Sequence, residues 1–230
     1  MKFSVCVLTI LLAGIPGSAH QDRSNGPQSA SGQVRQVYRV PGKPLVSQLR
    51  ATDRVLEVID TTSVATSGPP PGKTLLEVMT EAADIIAIVK VAKIQGRLVR
   101  SADWVESIVT TDVVESFKNR SATEAGQTMP LSFVYSSAGE LIQGHQIVRA
   151  RHADARLFVP GRSYLLFGLV ADGELQINDA SAFWLDGETA QPMTTNRSSY
   201  GLLPTTRTEF IEGIRASLQK APARRTGSAR

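Results

Sequence analysis

Phe158-Val-Pro-Gly-Arg-Ser-Tyr-Leu-Leu-Phe167 is the stretch of this sequence that decides the fold. Pro160 and Gly161 predict a tight turn, because proline presets the backbone of one turn position and glycine tolerates the conformation of the next. The aromatic and aliphatic run from Tyr164 to Phe167 predicts a buried strand that leaves this turn. We expect the remaining strands to wrap around this one.

Both faces of this central strand are apolar. Tyr164 and Leu166 share one face and Leu165 and Phe167 the other, because alternate residues of a strand point in opposite directions. One set would fill the interior of a small barrel, and a helix or loop would cover the other. Further apolar runs at regular spacing favour such a mainly β, closed barrel over an α/β sheet. The predicted strands span 84–94, 104–117, 131–136, 147–152, 163–171 and 174–185, with a hairpin turn at Asp172-Gly173 and loops at 118–129, 139–144 and 187–204.

Two helices flank the predicted strands. Thr74 caps the first, which runs through Ala83 before the first barrel strand. Thr206 and Glu209 form a capping box that begins the C-terminal helix. Its apolar stripe would be an exposed patch if the helix stayed free, so we expect it to dock on the barrel and cover the second face of the central strand. The predicted apolar faces are Leu75, Leu76, Met79 and Ala82 in the first helix and Phe210, Ile211, Ile214 and Leu218 in the second.

The two ends of the chain differ in composition from the middle. Residues 1–19 carry a lysine at position 2, continue as a short apolar run and finish with small residues, which predicts a secretory signal peptide and a secreted or periplasmic protein. Cys6 is the only cysteine, so the exported chain would hold no disulfide. From His20 to about Pro44 apolar residues are few, and we expect an unstructured linker. The predicted organisation is a signal peptide at 1–19, a polar linker and N-terminal extension at 20–73, a barrel at 74–187, a loop and the C-terminal helix at 188–221, and a basic tail at 222–230.

The charge of the chain is modest, with a formal net charge of +4 at pH 7. Arg224, Arg225 and Arg230 in the tail carry much of it, so the body is close to neutral. No basic face studded with aromatic residues is evident, and we expect no nucleic-acid partner. Outside residues 1–19 no stretch has the length and hydropathy of a membrane span, so none is expected after signal removal.

Three segments together resemble a group of secreted bacterial proteins of unknown function. They are Ala83-Asp-Ile-Ile86, Thr110-Thr-Asp-Val-Val-Glu-Ser-Phe-Lys-Asn119 and Val159-Pro-Gly-Arg-Ser-Tyr-Leu-Leu-Phe167. That group has an OB-like barrel similar to the tissue inhibitors of metalloproteinases and to netrin modules. The resemblance covers roughly 74–187 and implies a small OB-like Greek-key barrel there. The inhibitors act through an N-terminal cysteine held by disulfides, which this chain lacks after the signal, so that activity is not implied.

Three histidines are the candidate metal ligands. His20 would become the first residue after signal removal, where an amine and an imidazole on one residue chelate copper. His145 and His152 lie seven residues apart and do not share a helix face at ligand spacing, whereas zinc takes three or four convergent ligands. These residues are the candidates for a metal site, although the sequence predicts no cofactor.

The sequence does not assemble a recognisable catalytic set, and it contains no Gly-x-Ser-x-Gly elbow. Asp103 and Glu106 flank Trp104, but on a strand they point to opposite faces, so we interpret them as solvated rather than as an acid pair. The leading hypothesis is a secreted, non-enzymatic module that binds another protein or a component of the cell envelope. A copper- or zinc-binding protein that uses the mature N-terminal histidine is the alternative, and an exported hydrolase is a third.

Overall fold

The computed structural model describes residues 32–62, 68–120, 130–195, 203 and 206–220. Within these ranges the chain is mainly β, as predicted, with eleven strands and two α-helices. The predicted signal peptide, His20 and the basic tail lie outside the described residues. The elements are β1 (Gln33–Tyr38), a 3₁₀ turn (Val46–Gln48), β2 (Asp53–Asp60), α1 (Leu75–Ala82), β3 (Ile85–Leu98), β4 (Val105–Asn119), β5 (Leu131–Tyr135), β6 (Ala138–Gln143), β7 (Gln146–His152), β8 (Ser163–Ala171), β9 (Glu174–Ile177), β10 (Ala182–Asp186), β11 (Thr189–Pro192) and α2 (Arg207–Lys220).

The strands form two sheets. The four-stranded sheet has the order β1-β2-β7-β6, in which β1, β2 and β7 run parallel and β6 is antiparallel to β7. The seven-stranded sheet has the order β11-β10-β8-β3-β4-β5-β9. An additional pairing of β8 with β9 joins β8, β3, β4, β5 and β9 into a ring. The central strand predicted from the sequence is therefore β8, which pairs with three others.

The proline–glycine turn before β8 is held by hydrogen bonds to a neighbouring strand and to β8 itself. Gly161 has a φ of 81°, a backbone conformation that glycine adopts without steric cost. Its N–H donates to the Val91 carbonyl of β3 at 2.8 Å. The Tyr164 hydroxyl accepts from the Val159 N–H at 2.9 Å, so the first buried residue of β8 also ties down the turn that precedes it.

β8 separates two apolar cores, as the alternation of its side chains predicted. Tyr164 and Leu166 lie in the first core with side chains of the other ring strands, and the Phe158 ring packs edge to face on Tyr164 at 4.5 Å between centroids. Leu165 and Phe167 lie in the second core with side chains of α1, β10 and α2. Burial of both faces makes β8, together with its neighbour β3, a strand that the two cores share.

The C-terminal helix is docked, which confirms the prediction. Phe210 and Ile214 are buried in the second core, with the Phe183 and Phe210 rings 4.7 Å apart. The Thr206 hydroxyl accepts from the Glu209 N–H at 3.2 Å, so Thr206 caps the start of the helix where expected.

The first helix also begins with the predicted cap. Thr74 and Glu77 form a reciprocal capping box, and the Thr74 N–H bond lowers the pKa of Glu77 to about 2, with help from Lys220 of α2. One residue of the predicted apolar face is wrong, because Ala82 is exposed and Thr80 is buried instead. α1 is rotated about its axis so that Leu76 packs against α2. This orientation depends on α2, so the sequence of α1 alone does not determine it.

The four-stranded sheet lies against the β3–β4 hairpin at two glycines. A Cβ at Gly96 would lie 1.9 Å from the Glu140 carbonyl oxygen, and one at Gly139 would lie 2.5 Å from the Glu106 carbonyl carbon. The backbone of β6 thus passes directly over β3 and β4, which only glycine permits. A third core fills the space between this sheet and the hairpin; its buried members are Leu45, Leu56, Val58, Trp104, Val105, Val148 and Ala150.

Four sequence predictions are corrected by the strands that the structure contains. The prediction of an unstructured linker is wrong for residues 33–44, since β1 lies there and pairs with β2. Residues 139–144 are not a loop, because β6 pairs with β7 over most of that span. The predicted strand at 174–185 is two strands, β9 and β10, divided by a turn in which Asn178 accepts from the Ala180 N–H at 3.0 Å. Finally, the predicted loop at 187–204 contains β11, which extends the seven-stranded sheet past Gly187.

Candidate functional site

β1 is an edge strand of the four-stranded sheet, and its two faces have opposite character. The inward face carries Arg35 and Val37, which are half-buried. The outward face carries Val34, Gln36 and Tyr38, and Val34 and Tyr38 are 63% and 71% exposed. These two side chains give the outward face of β1 an exposed apolar character.

An ion pair holds the first half of β1 in place. The Arg35 guanidinium donates to both carboxylate oxygens of Asp53, at 3.0 Å from Nε to Oδ1 and 2.7 Å from Nη2 to Oδ2. Asp53 is buried at the start of β2 and also accepts from the Arg50 N–H at 2.9 Å. The hydrogen bond from Arg35 is the main cause that lowers the pKa of Asp53, with the Arg50 N–H adding to it. A bidentate pair of this kind fixes orientation as well as position.

A second arginine holds the end of β1. Arg39 Nη1 donates to Asp60 Oδ2 at 2.8 Å, and its Nη2 donates to Asp103 Oδ2 at 3.2 Å. Asp103 is 4% exposed and also accepts from the Ser101 hydroxyl and from the Gly42 N–H at 2.9 Å. These bonds, with Ser101 contributing most, lower the pKa of Asp103 to about 2 despite its burial. One guanidinium therefore ties β1, β2 and the β3–β4 turn together.

Aromatic rings complete this buried cluster. The Arg39 guanidinium carbon lies 4.8 Å from the centroid of the Trp104 ring, a cation–π contact. The His152 ring also packs edge to face on the Trp104 ring, with centroids 5.3 Å apart. The Trp104 indole Nε1 donates to the Ser136 carbonyl at 2.9 Å. Since both carboxylates already bind Arg39, the cluster is arranged to position β1 rather than to move a proton.

The outward face of the four-stranded sheet is organised in rows that cross all four strands. Strand register places one apolar residue from each strand side by side, and Ile142 at the far end is 71% exposed. A polar row follows, and beyond it Tyr38 lies beside Ile59. We call the first row the apolar row; it consists of Val34, Val55, Ile147 and Ile142. The polar row consists of Gln36, Glu57, Arg149 and Glu140.

Charges beside the apolar row are internally paired. Arg149 Nε donates to Glu140 Oε2 at 2.9 Å, and Arg151 Nε donates to Glu57 Oε1 at 2.9 Å. Glu57 also accepts from the Gln36 amide, and this bond, followed by the one from Arg151, lowers the pKa of Glu57. The charged side chains of the polar row are thus paired within the sheet, and the apolar row beside them is the apolar part of this outward face.

The structure does not bring the candidate histidines together. His145 lies exposed in the turn between β6 and β7, and His152 lies at the other end of β7. Seven residues of strand separate them by about 23 Å. Within the described residues no group of three or more His, Cys, Asp or Glu side chains is placed to hold a metal ion. His20 lies outside those residues, so the copper hypothesis stays a prediction.

The prediction that Asp103 is solvated is wrong, because it is buried in the Arg39 cluster. Glu106 binds a different arginine, with Arg97 Nε donating to its Oε1 at 2.7 Å, so the two carboxylates do point apart. Arg97 also forms a bidentate pair with Glu174 in the β8–β9 hairpin. Sequence reasoning overlooked β1 itself, because its apolar residues Val34, Val37 and Tyr38 follow no strict alternation with polar ones.

Comparison with known proteins adds no relative: no protein-family model matches the chain, and no curated protein matches its sequence. A separate search of the described helices finds none with the length and hydropathy needed to cross a bilayer.

Proposed function

We propose that this chain is an exported, non-enzymatic module that binds another protein through the outward face of its four-stranded sheet. The observation that carries the proposal is the apolar row with its two exposed ends, Val34 and Ile142. Apolar surface of this kind gains free energy when it leaves water, at roughly 25 cal/mol per Å². The partner surface that suits it is apolar at its centre and polar at its rim.

The rigidity of the sheet supports a binding role. Arg35 and Arg39 each fix β1 through buried carboxylates, so the exposed side chains of β1 are presented on an ordered strand. A surface that is already ordered loses less conformational entropy when it binds. The ion pairs of the polar row are complete without a partner, which leaves binding to depend on shape and apolar contact.

The ring in the seven-stranded sheet supports an OB-like fold for the rest of the molecule. Its five strands, numbered along the chain, are β3, β4, β5, β8 and β9. Around the ring, neighbouring strands pair in the order first, second, third, fifth, fourth and back to first. The third and fifth strands are parallel, and the other neighbours are antiparallel. This order agrees with a five-stranded Greek-key barrel. We include in the proposal the resemblance to inhibitor and netrin modules and the export signal at 1–19.

Site-specific photo-crosslinking tests the binding surface. A photoreactive amino acid in place of Ile142 should give one discrete adduct with the partner in cells that export the protein. The matched control is the same replacement at Val114 of β4, which is 59% exposed but lies outside the four-stranded sheet. The adduct should disappear when Val55→Lys places a charge within the apolar row, since a buried unpaired charge opposes binding.

The proposal fails if Ile142 and Val114 give the same adducts, or if Val55→Lys leaves the Ile142 adduct unchanged while the variant remains folded. Circular dichroism and the melting temperature of each variant provide the folding control.

A further inference from the structure

The free edge of β1 exposes a regular set of backbone groups. Gln33 and Arg39 donate their N–H groups to Thr52 and Ile59 on the β2 side. In a paired strand alternate residues direct their backbone groups to opposite edges, so Val34, Gln36 and Tyr38 direct theirs away from β2. Within the described part of the chain β1 pairs with β2 alone. Three N–H and three carbonyl groups thus line an open edge.

We propose that this edge pairs with β1 of a second copy of the chain, antiparallel and centred on Gln36. In this register Gln36 lies opposite Gln36 of the second copy, and Val34 lies opposite its Tyr38. Each of these opposed pairs exchanges two hydrogen bonds, as alternate pairs in an antiparallel ladder do. All six free groups on each copy are then satisfied, and a two-fold axis makes the contact close on itself.

The side chains also fit this register. On the outward face each Val34 meets an aromatic ring, a cross-strand pair that favours sheet formation by about 0.2 to 1 kcal/mol. On the inward face Arg35 lies opposite Val37, and at the ends Arg39 lies opposite Gln33. No two like charges are directly opposed, and both arginines keep their carboxylates within their own copy. Charge therefore opposes neither this register nor its symmetry.

The pairing would join two four-stranded sheets into one of eight strands and make the two apolar rows parts of one surface. It goes beyond the proposed function, because it uses the edge of β1 rather than the outward face. Ile142 lies on β6, at the opposite side of the sheet from this edge. Crosslinking at Ile142 and pairing through β1 can therefore succeed or fail independently.

Disulfide trapping in the full-length chain carrying Cys6→Ser tests the pairing and its register. Gln36→Cys should form a disulfide-linked dimer, because hydrogen-bonded opposite residues have Cα atoms about 5.5 Å apart, within the disulfide range of about 4.4 to 6.8 Å. Val34→Cys alone and Tyr38→Cys alone should stay monomeric on a denaturing gel, since identical positions lie about 14 Å apart. Mixing these last two variants should produce the crosslinked dimer. Val114→Cys, equally accessible on β4, is the control for random collision.

A second pair of variants measures the association without a crosslink. Gln36→Pro removes an N–H from the free edge only, whereas Gln36→Ala removes the same side chain and keeps the N–H. We expect sedimentation to give a doubled mass for the wild type and Gln36→Ala, and the monomer mass for Gln36→Pro. The proposal is overturned by a monomeric wild type, by equal masses for the two variants, by crosslinking of Val34→Cys to itself, or by capture of a different protein at Gln36→Cys.

Discussion

β8 and β1 show two opposite uses of a strand in one molecule. β8 pairs on both edges and is covered on both faces through most of its length, by the ring on one side and the helices on the other. β1 pairs on one edge, is held on one face by two arginines, and leaves its other face exposed. The difference teaches that β8 is stabilised by apolar packing on both faces, whereas β1 is positioned by ion pairs and leaves one face exposed. Four predictions examine that contrast, from the largest expected effect to the smallest.

Ending the chain after Pro204 removes α2 and should prevent stable folding. Phe210 and Ile214 leave the second core, and the face of β8 that holds Phe167 becomes exposed to water. The loss is comparable with a total stability of about 5 to 15 kcal/mol. Thermal unfolding and light scattering should show a lost transition or aggregation. Glu212→Ala, on the exposed side of α2, is the control, and a truncated chain that melts like the full-length chain would contradict docking.

Phe167→Ala should lower the free energy of unfolding by about 3 to 5 kcal/mol, because it leaves a cavity among buried aromatic side chains. Denaturant titration measures this change. The comparison variant is Val114→Ala in β4, where the side chain is exposed and the change should stay within about 0.5 kcal/mol. Similar losses in the two variants would remove the special position that we assign to β8.

Asp103→Asn should cost on the order of 2 kcal/mol at neutral pH, the value of a pKa lowered from 3.8 to about 2 by folding. Because the folded-state pKa is the lower one, this stabilisation is present above about pH 4 and is lost as the pH falls toward 2. The difference between wild type and variant should therefore shrink over that window in urea titrations at several pH values. Asp112→Asn, at an exposed residue of β4, is the control for the substitution itself. If the difference in unfolding free energy between wild type and Asp103→Asn were independent of pH, the Arg39 cluster would not stabilise the fold through charge.

Tyr38→Thr and Ile142→Thr should change the free energy of unfolding least, by about 0.5 kcal/mol or less, since both side chains are largely exposed. Ile142→Thr should nevertheless weaken binding of the partner found by crosslinking, which a titration with that purified partner would measure. Unchanged affinity for Ile142→Thr would contradict binding through the outward face. A large loss of stability in either variant would assign that face a structural role instead.

Local patterns in the sequence predicted the parts of the fold that depend on nearby residues. The Pro160-Gly161 turn, the two-faced run of β8, the hairpin at Asp172-Gly173, the capping box at Thr74 and the helix cap at Thr206 all occur where predicted. Each is encoded within a few positions, either by turn chemistry or by side-chain period. Docking of α2 followed as well, because an apolar stripe on a helix needs a covering surface.

The sequence alone indicated only single residues of the candidate site and none of the contacts between them. His152 was noted as a possible ligand, yet its neighbours are Trp104 and the Arg39 cluster, and the chain separates Arg39 from Asp103 by 64 residues. No local period reports a contact over that distance. The exposure of Ile142 likewise follows from the pairing of β6 with β7, in a stretch interpreted as a loop.

The sequence by itself determined which segments are strands and helices where apolar period and turn residues are strong, above all at β8 and α2. Tertiary structure alone decided the parallel pairing of β1 with β2 and of β2 with β7, the joining of β8 to β9 in a ring, and the burial of Asp103. The physical reason is that backbone hydrogen bonds between strands form between any residues that topology brings together, so they leave little trace in side-chain patterns. A buried carboxylate, similarly, is stable only where distant donors converge on it, and that convergence exists only in the folded chain.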